Sequence, residues 1–393
     1  MPPDTAASIN SQVTAPDRAA HPAQLDKSSR YAQLDLLRGI AILSVLLLHC
    51  LQQVFQRQAL DWHGLWRTTA TEPRLSFYAF YPATFGWAGV SLFYVLSGFV
   101  IHGTFFRAKE FSVAAFYWRR FWRIYPPYLL ALIFCSALLW HREHNLTDLS
   151  KQLFMHLFLI HNFRAWSYFG ISPPFWSLAT EMQFYLLYPL LLLVRWRIGI
   201  KGTLLAVLGV SVTSRAVCYA VTDWTQPISI PLWYNVLNVW FDWTLGMYIA
   251  EQFHFGKRVF TRFRGPLVAL LIGLLFVFDL YLKTTMLCFT VATLISAVLL
   301  ESALYARPLF GPLRPFLTSL GLCSYSFYLW HAALIKPIAQ RTHVLSLQPS
   351  AVQYFALVMV SLLSIYALSY FLYVTVEKPA QRVGKWMPWA RKA

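Results

Sequence analysis

Charged side chains are scarce in this sequence. Only 12% of the 393 residues are charged and 58% are hydrophobic, whereas an average soluble domain has about 25% charged and about 45–50% apolar residues. This composition excludes an ordinary soluble enzyme and a disordered or nucleic-acid-binding tail protein. Aromatic residues make up 17% of the chain, which suits many membrane–water interfaces. The sequence therefore predicts an all-α, polytopic membrane protein.

Acidic residues and clustered metal ligands are also few. There are 16 Asp and Glu against 33 Lys and Arg, and the basic residues lie mostly in short segments between apolar runs, where they indicate topology rather than a nucleic-acid partner. The five cysteines lie inside apolar runs and none is spaced as a metal-binding pair. One histidine group resembles a metal cluster but lacks cysteine or carboxylate ligands at typical spacing: His141, His144, His156 and His161. We therefore predict no metal site.

About ten apolar runs are long enough to cross a hydrocarbon core of ~30 Å. They cover residues 36–55, 84–106, 124–140, 176–194, 203–221, 232–251, 266–282, 284–304, 316–338 and 352–376. Segment 153–163 is too short to cross. If it stays on the outer side, most Lys and Arg residues fall on the inner side, as the positive-inside rule requires. We therefore predict about ten transmembrane helices with cytoplasmic N- and C-termini.

Three regions differ in composition. Residues 1–30 are polar, rich in Ala, Pro, Ser and Gln, and show no apolar periodicity, which predicts a disordered tail rather than a signal peptide. Residues 31–377 form the predicted transmembrane domain. Residues 378–393 form a basic tail on the cytoplasmic side.

The first apolar run contains charged and titratable residues, which are costly in a membrane and therefore informative. Arg38 and His49 are eleven residues apart, so on a helix they point in nearly the same direction and are separated by ~16 Å. Asp35 lies one turn before Arg38 and can pair with it. The alternative is that Asp35 and Arg38 mark the interface and that His49 is a hydrogen-bonded core histidine.

A dense basic cluster precedes the third run. Its arginines alternate with aromatic residues in WRRFWRIYPPY at 118–128, and arginine forks suit phosphate groups. The cluster is expected in a loop that ends with an aromatic–Pro–Pro turn at the start of the helix. A positive-inside anchor is the alternative interpretation.

Two later runs place polar groups deeper in the bilayer. Glu181, with Tyr185 one turn on, is expected in the outer half and far from the arginines, where a carboxylate should face a polar cavity. Ser324, Tyr328 and His331 share one helix face. Structural hydrogen bonding between helices is the alternative for both groups. The pattern favours an enzyme that binds a phosphorylated, long-armed donor from inside.

Five motifs together resemble the membrane-bound acyltransferase family 3. They are LDLLRG at 34–39 with His49, GVSLFYVLSGF at 89–99, RRFWRIYP at 119–126, WSL at 176–178 with Glu181 and Tyr185, and SYSFYLWH at 324–331. The resemblance runs in order over about 30–377. It implies a ten-helix core that transfers an acyl group, usually acetyl, from coenzyme A to a carbohydrate hydroxyl, with Arg38 and His49 as an essential pair. Some members carry an additional hydrolase-like domain after this core. Because this sequence ends soon after the last apolar run, we expect a stand-alone member.

The resemblance and the residues together predict specific roles. With acetyl-CoA or another acyl-CoA as donor, the residues expected to bind it are Arg38, Arg119, Arg120, Arg123 and Tyr125. The residues expected to be catalytic are His49 as general base, Glu181, and His331 in oxyanion stabilisation. The residues expected to support the site or the acceptor are Asp35, Trp176, Tyr185, Ser324 and Tyr328. A covalent acyl-histidine is the mechanistic alternative.

The expected acceptor is a carbohydrate or glycolipid, such as O-antigen, exopolysaccharide or a lipid-linked sugar. The expected location is the bacterial inner membrane, with the lipid bilayer as a partner and no nucleic acid. A transporter of a sugar or organic anion is the functional alternative, although no pair of Gly/Pro-broken helices indicates inverted repeats. A purely structural scaffold would leave His49 and Glu181 unexplained.

Overall fold

The computed structural model describes residues 27–55, 80–106, 111–224, 229–260, 264–279, 284–305, 311–342 and 350–386. Within these ranges every regular element is helical. The first half of the chain contains α1 (Lys27–Val54), a 3-10 turn (Tyr81–Trp87), α2 (Ala88–Phe105), α3 (Val113–Glu143), α4 (Leu146–Leu157), α5 (Ala165–Tyr168) and α6 (Phe175–Val221). The second half contains α7 (Ile230–Trp233), α8 (Val236–His254), α9 (Arg264–Asp279), α10 (Thr285–Tyr305), α11 (Arg314–Leu322), α12 (Ser324–Arg341), α13 (Ala351–Leu372), a π-helical turn (Tyr373–Glu377) and α14 (Lys378–Val383).

The predicted all-α membrane class is confirmed for this part of the chain. Six helices are long and apolar enough to cross a membrane: Tyr31–Val54, Tyr81–Phe105, Val113–His141, Phe175–Val221, Leu287–Tyr305 and Ala351–Val383. Each of the ten predicted runs overlaps a helix, while the count of ten crossings and the side of each terminus stay predictions. Residues 1–26 of the tail predicted over 1–30 lie outside the described residues, and α1 begins at Lys27.

Helix α1 is central because other helices approach its backbone closely. A Cβ atom on Gly39 would collide with the carbonyl group of Leu317 in α11, and one on Gly321 in α11 would collide with that of Asp35 in α1. Small residues at such crossings let two membrane helices pack backbone to backbone. This contact fixes the segment of α1 that carries Asp35 and Arg38 against the end of α11.

The ninth predicted run, 316–338, is wrong as a single helix. Cys323, with φ −100° and ψ 13°, separates α11 from α12. The backbone N–H of Phe327 donates to the Cys323 carbonyl at 2.9 Å, so Cys323 is the N-terminal cap of α12. Ser324 is therefore the first residue of a new helix and not an interior residue of a long one.

The expected loop around the arginine cluster is also wrong. Helix α3 begins at Val113, where the Ser112 hydroxyl accepts a hydrogen bond from the backbone N–H of Ala115 at 3.2 Å. This cap starts the helix well before the predicted run at 124–140. Pro126 and Pro127 lie inside the helix. Proline is tolerated in membrane helices because neighbouring groups satisfy the backbone carbonyls that it leaves unbonded.

Two further features concern α6 and the short helix α4. The predicted fourth and fifth runs are two helical segments of α6 that meet at a kink at Gly199, whose non-helical φ of 70° and ψ of 171° favour glycine. The 12-residue α4 is too short to cross the membrane. It buries Gln152 and His156, whereas Phe154 and Phe158, the residue after its end, are exposed.

Candidate active site

A cavity of about 250 Å³ lies between α1, α2, α3, α6, α12 and the π-helical turn. Its charged lining consists of three arginines and three carboxylates: Asp35, Arg38, Arg120, Arg123, Glu181 and Glu377. Other predicted site residues in its wall are Tyr185, Ser324 and Tyr328. The cavity thus brings together side chains from opposite ends of the sequence.

The expected contact between Asp35 and Arg38 on α1 is present in the structure. The Arg38 Nη1 atom lies 2.6 Å from the Asp35 Oδ1 atom, and the two side chains are 20% and 16% exposed. Helical spacing of three residues accounts for the contact. Because Arg38 also lines the cavity, part of its positive charge faces a site that can hold an anionic ligand.

Helix α3 presents only some of its cluster to the cavity. Arg120 and Arg123, three residues apart on one helix face, both line it. Arg120 is 9% exposed, and its guanidinium lies 5.7 Å from the ring centroids of both Phe116 and Tyr185. This geometry is that of cation–π contacts. Arg119 does not line the cavity. It lies about 100° round the helix from Arg120.

Two other predicted residues also lie away from the cavity wall. Tyr125 donates its hydroxyl to the Leu157 carbonyl in α4 at 2.9 Å. The Trp176 ring packs against those of Tyr168 and Tyr234, with centroids 5.7 Å apart in each case. Both side chains therefore hold the α4–α6 region together in this structure.

Glu181 is oriented by two hydroxyl groups. Its Oε1 atom accepts hydrogen bonds from Ser97 Oγ at 2.8 Å and from the Tyr185 hydroxyl, and Trp243 Nε1 donates to Ser97 Oγ at 3.2 Å. The expected contact with Tyr185 is present, whereas Ser97 was not anticipated as a partner. Its only signal in the sequence is its place in the 89–99 motif.

The expected separation between Glu181 and the arginines is wrong. Arg120 lies over the ring of Tyr185, which is itself hydrogen-bonded to Glu181, and all three residues line one cavity. The cause is the early start of α3 at Val113. Arg120 and Arg123 are consequently two to three turns inside the helix instead of in an edge loop.

The two predicted histidines meet beyond the cavity wall. The ring centroids of His49 in α1 and His331 in α12 are 5.0 Å apart, with the planes tilted by 44°. Neither histidine lines the cavity. Tyr328 lines it, and its ring lies 5.4 Å from that of His331. Its hydroxyl lies 2.6 Å from Ser177 Oγ and donates to the Pro174 carbonyl at 3.0 Å.

Hydrogen bonding assigns the ring protons of His331. Its Nδ1 atom is 2.7 Å from the carbonyl oxygen of Tyr328, and a carbonyl can only accept, so Nδ1 carries hydrogen. In the neutral ring Nε2 is then an acceptor, and none of the described groups bonds this buried atom. The oxyanion-donor role expected from the sequence would require the protonated ring.

Glu377 is a cavity residue that sequence reasoning missed. Its carboxylate accepts from Ser326 Oγ at 2.9 Å and from Gln381 Nε2 at 3.1 Å. It ends a π-helical turn, a feature that often marks functional sites. In the sequence Glu377 merely ends the last apolar run, and no periodicity separates it from an interface residue.

Metal ligands are not grouped in the part of the chain that the structure describes: no three His, Cys, Asp or Glu side chains there are arranged to hold an ion. The five cysteines are free and buried. What the site offers is a pocket lined by three arginines and three carboxylates, with two imidazoles behind Tyr328. These groups can bind an anion and exchange a proton with a hydroxyl group.

Several known proteins resemble this chain. The membrane-bound transacylase named BcsY of Komagataeibacter xylinus is 25% identical over 261 residues, which cover 63% of this chain and 65% of BcsY. The peptidoglycan O-acetyltransferase OatA of Listeria monocytogenes is 26% identical over 300 residues, covering 65% of this chain and 46% of OatA. The acyltransferase MdmB of Streptomyces mycarofaciens is 27% identical over 329 residues, covering 78% of this chain and 79% of MdmB.

The chain spans less than two thirds of the length of BcsY and of OatA. No solved structure matches it. The acyltransferase domain model of family 3, in contrast, matches residues 31–373, which include all five motifs and every charged residue of the cavity except Glu377. The resemblance stated from the motifs is therefore confirmed, and the chain belongs to the acyltransferase 3 family.

Proposed function

We propose that this protein transfers an acyl group, in the simplest case acetyl, from acyl-CoA to a hydroxyl group of a carbohydrate. The observation that carries the proposal is the placement of three arginines in one cavity whose wall residue Tyr328 contacts His331, the partner of His49. An anionic donor bound by the arginines would have its reactive end close to an imidazole. Family membership favours transfer over transport.

The donor would bind through its phosphates. Arg120 and Arg123 offer planar forks that suit phosphate oxygens, and Arg38 faces the same space. The cavity of about 250 Å³ is below the range of roughly 300–1,000 Å³ for sites that enclose a drug-sized ligand. It would therefore hold one part of CoA, with the remainder outside, and the pantetheine arm would extend towards Tyr328.

The chemical step would need one base. A neutral His49 would take the proton of the acceptor hydroxyl, whose oxygen would attack the thioester carbonyl. The C–S bond would then break, and the departing thiolate would take the proton from the imidazolium to give free CoA and an ester. Transfer through an acyl-histidine would use the same residues in two steps. Glu181, held by Ser97 and Tyr185, would orient the acceptor.

The acceptor class rests on chemistry and on relatives. The buried Nε2 atom of His331 is a hydrogen-bond acceptor, so its ligand must donate, as a sugar hydroxyl does. OatA is named for O-acetylation of peptidoglycan. We propose an O-antigen, an exopolysaccharide or a lipid-linked sugar as the acceptor, and the bacterial inner membrane, crossed about ten times with both termini cytoplasmic, as the location.

Radiolabelled acetyl-CoA tests the proposal. Membranes containing the wild-type chain, the His49→Ala variant or the Arg119→Ala variant would be incubated with it, and the glycan and lipid fractions counted. Wild type and Arg119→Ala should place label in the glycan, because Arg119 is outside the cavity wall, while His49→Ala should not. Absence of covalent label with acetyl-CoA and longer acyl-CoA, at normal protein levels, would contradict the proposal.

A further inference from the structure

Each histidine of the His49–His331 pair has one ring nitrogen committed to a hydrogen bond, but the two partners differ. His331 Nδ1 bonds the backbone carbonyl of Tyr328 at 2.7 Å. His49 Nδ1 lies 3.0 Å from the side-chain Oε1 atom of Gln52, one helical turn further along α1. The backbone partner cannot be altered by substitution, whereas the side-chain partner can.

We propose that Gln52 is a positioning residue that fixes the tautomer of His49 and makes Nε2 its basic nitrogen. The amide oxygen of Gln52 only accepts hydrogen bonds, so the contact at 3.0 Å places hydrogen on His49 Nδ1. In the neutral ring the lone pair is then on Nε2. This inference rests on the proposed acyl transfer, in which His49 is the base.

The reverse amide orientation makes a different prediction, so the assignment can be tested. If the Gln52 amide group donated to Nδ1, the lone pair of Nδ1 would be occupied and Nε2 would carry hydrogen. A glutamate at position 52 keeps the acceptor and removes the donor. Gln52→Glu therefore preserves the proposed arrangement and abolishes the reverse one.

In the proposed tautomer, the Nε2 atoms of both histidines are unprotonated. His331 has its hydrogen on Nδ1 and a buried, unpartnered Nε2 atom, and its ring is 5.0 Å from that of His49. Two lone pairs cannot bond each other, so each requires a donor from elsewhere. In the proposed reaction that donor is the acceptor's hydroxyl group, which His331 would help to orient towards His49.

Besides the Cys50 thiol, the other titratable groups around this end of α1 are phenols that are already hydrogen-bonded. They belong to the apolar cluster that packs on α1: Tyr81, whose hydroxyl donates to Asp279; Tyr354, whose hydroxyl donates to the Leu47 carbonyl; and Tyr328, whose hydroxyl donates to the Pro174 carbonyl. The ring in contact with His49 is that of His331. A carboxylate at position 52 would therefore be a new charge beside His49.

The test compares Gln52→Leu and Gln52→Glu with Gln53→Leu as a matched control, since Gln53 is about 100° further round the helix. Gln52→Leu should lower kcat by roughly 10-fold, the size of one hydrogen bond, and leave KM for acyl-CoA unchanged. Gln52→Glu should retain kcat at high pH. The acidic limb of its pH profile of kcat should move to higher pH, because the carboxylate stabilises the protonated, inactive imidazole. Gln53→Leu should behave as wild type.

Modification by diethyl pyrocarbonate gives a readout that needs no turnover. The extent of modification of His49, measured by peptide mass spectrometry across pH, should reach half its maximum at a higher pH in Gln52→Glu than in wild type. Wild-type kcat and pH profile in Gln52→Leu, or loss of activity in Gln52→Glu, would overturn the assignment. A shift in modification without acyl transfer by wild type would contradict the proposed function and would still show that the side chain at position 52 contacts the His49 ring.

Discussion

Two pairs of histidines in this protein look alike in composition and differ in their surroundings. His49 and His331 lie 5.0 Å apart and tilted by 44°, next to the wall of the charged cavity. His156 in α4 and His161 in the turn that follows it are stacked 3.9 Å apart and nearly parallel, and both are fully buried. Burial lowers the pKa of His156 to about 4 and, with His156 beside it, that of His161 to about 2. The second pair is therefore held neutral at ordinary pH.

The comparison separates proximity from function. His156 and His161 are five residues apart and stack face to face, which supports packing of α4 on the bundle. His49 and His331 come from α1 and α12, and the His331 ring lies next to Tyr328, a residue of the cavity wall. Unpartnered ring nitrogens occur in both pairs, so the position beside the cavity is what differs. We therefore assign chemistry to the His49–His331 pair and a structural role to the His156–His161 pair, and the predictions below are designed to break that division.

The largest expected effect is the loss of the base. His49→Ala should lower acyl transfer by about 10²–10⁴-fold, the usual contribution of general base catalysis, while the protein still accumulates in membranes. His161→Phe preserves a stacked ring and should retain transfer within a few-fold of wild type. Initial rates at matched protein amounts measure both variants. Equal losses in the two would show that the pairs are not functionally different.

The next effect separates the arginines of α3. Arg120→Ala and Arg123→Ala each remove charge-assisted hydrogen bonds of about 1.5–3 kcal/mol, so affinity for CoA should fall about 10- to 150-fold. Arg119→Ala, outside the cavity wall, should bind CoA nearly as wild type. Calorimetry on purified protein measures this, and high salt should weaken wild-type binding by screening. Equal weakening in all three variants would indicate a general electrostatic effect instead of a site.

A smaller effect is expected at the carboxylate. Glu181→Gln keeps the size of the side chain and removes its charge, so the hydrogen bonds from Ser97 and Tyr185 should weaken. We expect kcat or acceptor affinity to fall by roughly 10-fold, with CoA affinity retained. Steady-state kinetics with both substrates and a CoA titration measure the two quantities. Loss of CoA affinity as well would place Glu181 in the donor site.

Periodicity and charge predicted the helices well, and three-dimensional contacts less well. Apolar runs locate every long helix because lipid requires about 20 apolar residues for each crossing. The break at Cys323 was missed because its flanking residues, Leu322 and Ser324, give no signal such as proline. The start of α3 was missed because the Ser112 cap lies in a polar segment that hydropathy alone leaves as a loop.

The candidate site was predicted in its residues but not in its grouping. Helical spacing gave the Asp35–Arg38 pair, since both residues are on one helix. The contact of His49 with His331 joins residues 282 positions apart, and no local pattern specifies which helices pack together. Glu377 was missed for the same reason: its role depends on a π-helical turn that directs it towards Ser326.

The smallest expected effect concerns pH and the stacked pair. The pKa values of His156 and His161 are lowered by burial in the folded protein, whereas an unfolded histidine titrates near pH 6.5. Below about pH 6.5 the unfolded chain therefore binds more protons than the folded one, and the free energy of unfolding falls as pH decreases towards 4. The slope should approach, for each histidine, about 1.4 kcal/mol per pH unit. His161→Phe should make it shallower, whereas His49→Ala should keep the contribution of the stacked pair. Thermal unfolding in detergent between pH 7.5 and 4.5 measures these slopes, and an unchanged slope in His161→Phe would mean that the stacked pair does not couple protonation to folding.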